Sequence, residues 1–201
     1  MNFKHLYILY KLHRRTFRPK SAFPAVKILT FVKQKTGMKR IGLLTDTHGL
    51  LDERIYKYFD EVDEIWHAGD WGSMEVVNKL QTFKPVRGVW GNIDGQDIRM
   101  VFPKHNRFRC EEVDVWLTHI GGYPGKYDAA ILTEINKNPP KLFVCGHSHI
   151  LKVVYDPKLE LLHINPGSAG KYGFHKVQTL IRLVIDGNKI KDMEVIELKP
   201  L

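Results

Sequence analysis

The chain lacks any acidic residue before Asp46, any apolar run approaching membrane-spanning length, and any Cys-x-x-Cys pair. Each absence excludes something. Without about 18 uninterrupted apolar residues, no transmembrane helix is expected. Cys110 and Cys145 are the only cysteines among 201 residues. Two thiols cannot build a disulfide framework or a four-cysteine zinc site. Both lie in apolar runs, so buried free thiols in a reducing cytoplasm are expected. The missing acids localise the charge. The formal net charge is +9, yet residues 1–37 hold nine Lys and Arg and no Asp or Glu. The remainder carries 22 basic and 22 acidic residues and is formally neutral. The basic balance therefore belongs to the head and says nothing about the body's ligand.

The head reads as a basic extension, and Met38-Lys39-Arg40 directly ahead of a strand reads as the start of the domain, which would span 38–201. The preferred reading is a translated upstream segment, disordered or from a mis-assigned start. A membrane or nucleic-acid tail and a targeting sequence are the alternatives, since an acid-free, Arg-containing head has the composition of a presequence.

From 39 onward the periodicity is α/β. Strands are expected at 39–45, 64–69, 85–91, 107–118 (as two), and 141–146, where short apolar runs occur. Helices are expected at 51–60, at 73–83 with Ser73 as N-cap, and at 127–137, ending before Pro139-Pro140. Residues 92–104 read as a loop. An all-β tail follows at 151–155, 159–164, 177–185 and 189–198, a meander with Asp186-Gly187 as a hairpin signal.

The informative feature is how the apolar runs end. They finish in Asp46-Thr47-His48-Gly49, Gly69-Asp70, Gly91-Asn92, His119-Ile120-Gly121-Gly122 and Gly146-His147-Ser148-His149. In open α/β sheets, ligands bind at the carboxyl ends of strands. Carboxylate, amide oxygen and imidazole donors suit Mn, Fe, Zn or Mg, and no thiolate is among them. Seven donors (Asp46, His48, Asp70, Asn92, His119, His147 and His149) are too many for one tetrahedral ion and enough for two that share a carboxylate. Such a pair can clamp the attacking and leaving oxygens of a phosphoryl displacement. The neighbouring glycines are expected to let the backbone turn sharply there. No Ser or Cys nucleophile motif competes.

These five motifs, in this order, resemble those of the calcineurin-like metallophosphoesterase superfamily. Asn165-Pro166-Gly167-Ser168 narrows the resemblance to its small bacterial and archaeal phosphodiesterases of the YfcE type. The resemblance implies a four-layer α/β/β/α sandwich with two mixed sheets. It also implies a binuclear centre, with Asp46, His48 and His149 on the first ion, Asn92, His119 and His147 on the second, and Asp70 bridging. Asp46, His48, Asp70, Asn92 and His119 would serve catalysis. The implied activity is hydrolysis of phosphate esters, in particular diesters, by metal-activated hydroxide, with Mn²⁺ as the leading metal and Ni²⁺, Fe²⁺, Zn²⁺ and Mg²⁺ as alternatives.

Many relatives carry a His after the Asn of the third motif, to assist the leaving group. Here that place is Ile93, so the general acid is unassigned. Asp94 is a supporting or turn residue, and His175, beyond the Asn165–Ser168 loop, is a candidate to reach the site. His67 and His163 read as core, with hydrogen bonding to the residues around the site as the alternative, and His105 and His5 as surface. Asn165 reads as a loop residue bordering the site, and Trp66, Trp90 and Trp116 as core. A small phosphate ester is the expected partner, nucleic acid is not expected for the neutral body, and a homo-oligomer stays open. The rival readings are a non-catalytic scaffold of the Vps29 kind and a nucleic-acid-associated phosphoesterase.

Overall fold

The computed structural model describes residues 37–173 and 177–199. The head, apart from residue 37, and His175 lie outside them. Two five-stranded mixed sheets carry the fold. In the first, β1 (Lys39–Leu44), β2 (Glu64–His67) and β3 (Val86–Gly88) run parallel, and β11 (Gln178–Asp186) pairs antiparallel with β1, outside which lies β12 (Lys189–Leu198). In the second, β5 (Val113–Thr118), β8 (Leu142–Val144) and β10 (Leu161–Pro166) run parallel, flanked by antiparallel β4 (His105–Cys110) and β9 (Leu151–Asp156).

Alternation along the strands sends each sheet's two faces into different cores. Ile41, Leu43, Trp66, Val115, Leu117, Val144 and Leu183 fill the space between the sheets. The opposite face of the first sheet offers Leu44, Ile65 and Leu180 to α1 (Arg54–Tyr58), α2 (Met74–Phe83) and α3 (Gln96–Val101). The outer face of the second sheet buries Trp116 and Phe143 against Ile131 and Ile135 of α4 (Ala129–Lys137). The layering is α/β/β/α, as expected.

Local chemistry sets the helix starts. Ser73 Oγ accepts the Val76 N–H at 3.4 Å, and Asp128 Oδ1 accepts that of Ala130 at 2.9 Å, so two helices carry side-chain caps. The helix expected at 51–60 starts only at Arg54, because Asp52 Oδ1 accepts the Arg54 N–H at 3.0 Å and holds a turn there.

Four expectations need correction. Residues 92–104 are not all loop: α3 forms because Ile98 and Phe102 bury one turn apart, Phe102 stacking on Trp71 at 4.5 Å. The tail is not one meander: β9 and β10 complete the second sheet, and β11 and β12 complete the first. Their hairpin turn is Gly187-Asn188, since Asp186 pairs with Lys189 as the last ladder residue. Trp90 lies beyond the end of β3 and is half-buried under the Arg99 guanidinium, 4.4 Å from its ring, whereas Trp66 and Trp116 are core as expected.

Candidate metal centre

Because β1, β2 and β3 are parallel, their carboxyl ends share one edge and deliver Asp46, His48, Asp70 and Asn92 there. Strands β5 and β8 of the second sheet deliver His119, His147 and His149. The structure gathers these residues into two groups, each combining both sheets. In one are Asp46, His48 and His149; in the other are Asp70, His119 and His147. Asn92 joins the second group, its Oδ1 lying 3.0 Å from His119 Nε2.

Hydrogen-bonding logic shows what the second group is suited to hold. His119 Nδ1 lies 2.8 Å from the Ala68 carbonyl, which can only accept, so Nδ1 carries a proton. In the neutral ring, Nε2 is then an acceptor, yet it faces two more: Asn92 Oδ1, and Asp70 Oδ1 at 3.2 Å. Three lone-pair donors converging beside the buried His119 and Asp70 need a cation. Burial works against charge on His119, but Asp70 and Asp46 together raise its pKa above the ordinary value, which is how a proton would serve in place of a metal. The first group has the same character. His48 Nε2 and His149 Nε2 lie 3.2 Å apart, and Asp46 Oδ1 is 3.3 Å from His149 Nε2. That buried oxygen makes no well-aligned hydrogen bond. Ligands about 2.1 Å from a common ion sit roughly 3–3.5 Å from one another, which matches these separations. Asp70 faces both groups: its Oδ1 toward His119 and its Oδ2 toward His48 Nε2 at 3.8 Å.

The pKa directions follow the same charges. Burial holds His48 below its usual value despite Asp70 and Asp46, while the Asp46 carboxylate lifts His149. Burial works against ionisation of Asp70, but His119 and the Ile93 N–H outweigh it and keep its pKa low.

The backbone is strained at this edge. Asp46, His48, Asp70, His147 and His149 all have left-handed φ, between 49° and 68°. Each such L-residue costs roughly 1–2 kcal/mol, and strain of this kind concentrates at functional sites. The glycines act partly as expected. Gly69 has φ +94°, but Gly91 has no positive φ; a Cβ there would collide with Asp70 Oδ1, so its role is close approach rather than turning.

Surrounding groups lock these loops. Asp94 accepts the N–H groups of Gly72 at 2.9 Å and Gly91 at 2.7 Å, tying the Asp70 loop to the Asn92 loop. Ser168 Oγ donates to the Asp46 carbonyl at 3.0 Å, and Asn165 Nδ2 to the Gly146 carbonyl at 2.8 Å. Asn165 thus braces the His147–His149 loop as a bordering residue would, although it lies in β10, paired with Lys152, rather than in a loop. His163 is core, donating to the Gly122 carbonyl at 3.0 Å. His67 exceeds the core role read for it. Its Nδ1 accepts the Gly69 N–H at 3.1 Å, so Nε2–H donates to Thr47 Oγ1 at 3.0 Å, and Thr47 donates on to the Trp71 carbonyl at 3.0 Å. Hydrogen bonding behind the site is the alternative that the sequence leaves open for His67 beside core packing, and the buried ring does both. His105 is exposed, with Nδ1 2.9 Å from Thr118 Oγ1.

Two cavities border the second group. The larger, about 680 Å³, opens beside His147. The smaller, about 180 Å³, lies against Asn92 and His119. Ile120 and Asp128 line both and divide them. Among the described residues, no helix is long and apolar enough to cross a membrane.

The chain has recognisable relatives among known proteins. A probable metallophosphoesterase of Methanothermobacter thermautotrophicus is 30% identical over 164 residues, covering 78% of this chain and 91% of the relative. A second, from Methanocaldococcus jannaschii, is 25% identical over 138 residues, 66% of this chain and 69% of the relative. A solved archaeal phosphodiesterase superposes with a TM-score of 0.63 at 22% identity, covering 79% of this chain and 99% of that one. Vps29 of Cryptosporidium parvum does so with 0.63 at 20% identity, covering 81% and 99%. These two structures bear on the fold alone. The profile of the calcineurin-like phosphoesterase superfamily domain matches residues 38–188, and the chain belongs to that family.

Proposed function

We propose that the protein is a binuclear-metal-dependent phosphodiesterase. The observation that carries this reading is the pair of acceptor-rich groups joined by Asp70, in which lone pairs face one another and call for two cations. Two divalent ions held there would supply a water acidified to near neutrality and a clamp for phosphoryl oxygens. Asp46, His48 and His149 would hold the first ion, Asn92, His119 and His147 the second, with Asp70 shared between them. His119 is aimed by its Nδ1–H bond to Ala68. The mixture of oxygen and imidazole donors suits Mn²⁺, Fe²⁺, Zn²⁺, Ni²⁺ or Mg²⁺, and Mn²⁺ leads on the family resemblance.

A diester, rather than a monoester, is supported by the two cavities flanking the second group, since a diester has two organic groups to place. A scaffold role would not require all seven donors, and all seven are at the site. The test is metal analysis combined with a Mn²⁺-activated panel of aryl, alkyl and cyclic phosphate esters. Two bound ions per chain and faster turnover of diesters than of the matching monoesters are expected. A protein that binds two ions but turns over none of the panel would be a scaffold.

A further inference from the structure

The larger cavity has a wall that the reaction does not account for. Residues 122–127 form a small hairpin, β6 (Gly122–Tyr123) and β7 (Lys126–Tyr127), turning at Pro124-Gly125 with Gly125 at φ +85°. It is pinned to the second sheet at two points. Tyr127 Oη donates to Asp156 Oδ2 at 2.8 Å, and His163 Nε2 to the Gly122 carbonyl at 3.0 Å. The hairpin presents Tyr123 and Lys126 to the cavity, and β9 presents Lys152 from the other side, its Nζ 4.2 Å from the Tyr123 ring centre. Among the described residues neither lysine has a carboxylate partner. The single acid lining the cavity, Asp128, is engaged as the cap of α4. Exposed Tyr123, Ile120 and Ile150 supply apolar surface beside the two cations.

Two divalent ions held by the metal groups would neutralise the reacting phosphoryl group, so these lysines are surplus to it. Resting on the phosphodiesterase reading, we infer that this cavity receives an organic group of the ester and that Lys126 and Lys152 select for esters in which that group joins a flat apolar body to a second anion. The hairpin positions this recognition: its anchors hold Tyr123 as apolar wall beside a flat group, and the Lys152 ammonium, already next to that ring, is placed to meet a charge on that group. The preference weakens with salt, because the lysines are not deeply buried.

The test compares phenyl methyl phosphate with 4-carboxyphenyl methyl phosphate on the wild type and on the double variant Lys126→Gln, Lys152→Gln. Comparing the ratio of kcat/KM values between proteins cancels the intrinsic reactivity of each leaving group. The variant is expected to lose at least roughly fivefold more on the carboxylated ester than on the plain one. In parallel, calorimetry with 4-carboxyphenylphosphonate and phenylphosphonate should show the same differential loss of affinity. Equal losses on both ligands, or none, would overturn the inference. If neither ester turns over on the wild type, the phosphodiesterase reading fails, while the phosphonate contrast still decides whether the lysines recognise the second anion.

Discussion

Asp70 carries more of the site than any other residue, since its two oxygens face different groups. Asp70→Asn removes the charge that offsets two cations while keeping the shape. It should lower hydrolysis by at least about 10²-fold and reduce the bound metal, because the ions both activate water and clamp the ester. Turnover assays paired with metal analysis check this, and a variant with both ions and near-normal turnover would displace Asp70 as the bridge. Ile93 leads to a second expectation. Its backbone N–H serves Asp70 Oδ1 at 3.1 Å, but its side chain has no proton to give. General-acid help is typically worth roughly 10²–10⁴-fold, so alkyl esters with poor leaving groups should be slow and the rate should fall steeply with leaving-group pKa. A graded ester series on the wild type and on His175→Ala tests this. A flat wild-type series that becomes steep in the variant would make His175 the acid.

At the scale of elements, the loops after the strands depend on ties that fix their relative positions. Asp94→Asn sets an amide N–H against a backbone N–H at one of its two contacts, Gly72 or the buried Gly91. It should weaken metal binding by roughly 10–100-fold, as loss of an outer partner does, with the fold kept. A metal titration beside a circular dichroism spectrum measures both. This tie also marks where the sequence was legible. The donors could be read because each follows a short apolar run, and residues 64–70 or 113–119 state the strand and the ligand together. The capped helices were legible for the same reason: Ser73 is a local signal. What escaped is non-local. Helix α3 has Met100 and Val101 exposed and only Ile98 buried, with Phe102 just past its end, and the buried pair counts because Trp71 waits in another loop. The assignment of β11 to the first sheet rests on its register with β1, Ile181 opposite Leu43, which no local pattern encodes. Left-handed φ at five non-glycine ligands cannot be read from residue types that tolerate it only under constraint.

At the scale of the whole molecule, all seven donors and the family match lie beyond residue 37. A chain beginning at Met38 should therefore fold and keep its small-ester activity. It should lose affinity for anionic lipid or nucleic acid, and any such binding by the full chain should fall steeply with salt. Insolubility or inactivity of the short chain would show that the head packs on the body. The two metal groups have a mechanical consequence as well. Each draws ligands from both sheets, so an ion there acts as a rivet through two plates. Metal binds the folded state preferentially, so chelation should lower Tm, by an amount that grows with the metal concentration it abolishes. Thermal scans with and without chelator measure this, and unchanged melting would mean the sheets are held by their apolar interior alone. If the rivets carry load, then tilting one plate against the other opens both holes at once. Substitutions in the inter-sheet layer far from the edge, such as Val115→Ala, would then be felt first as a loosened grip on metal, well before the molecule comes apart.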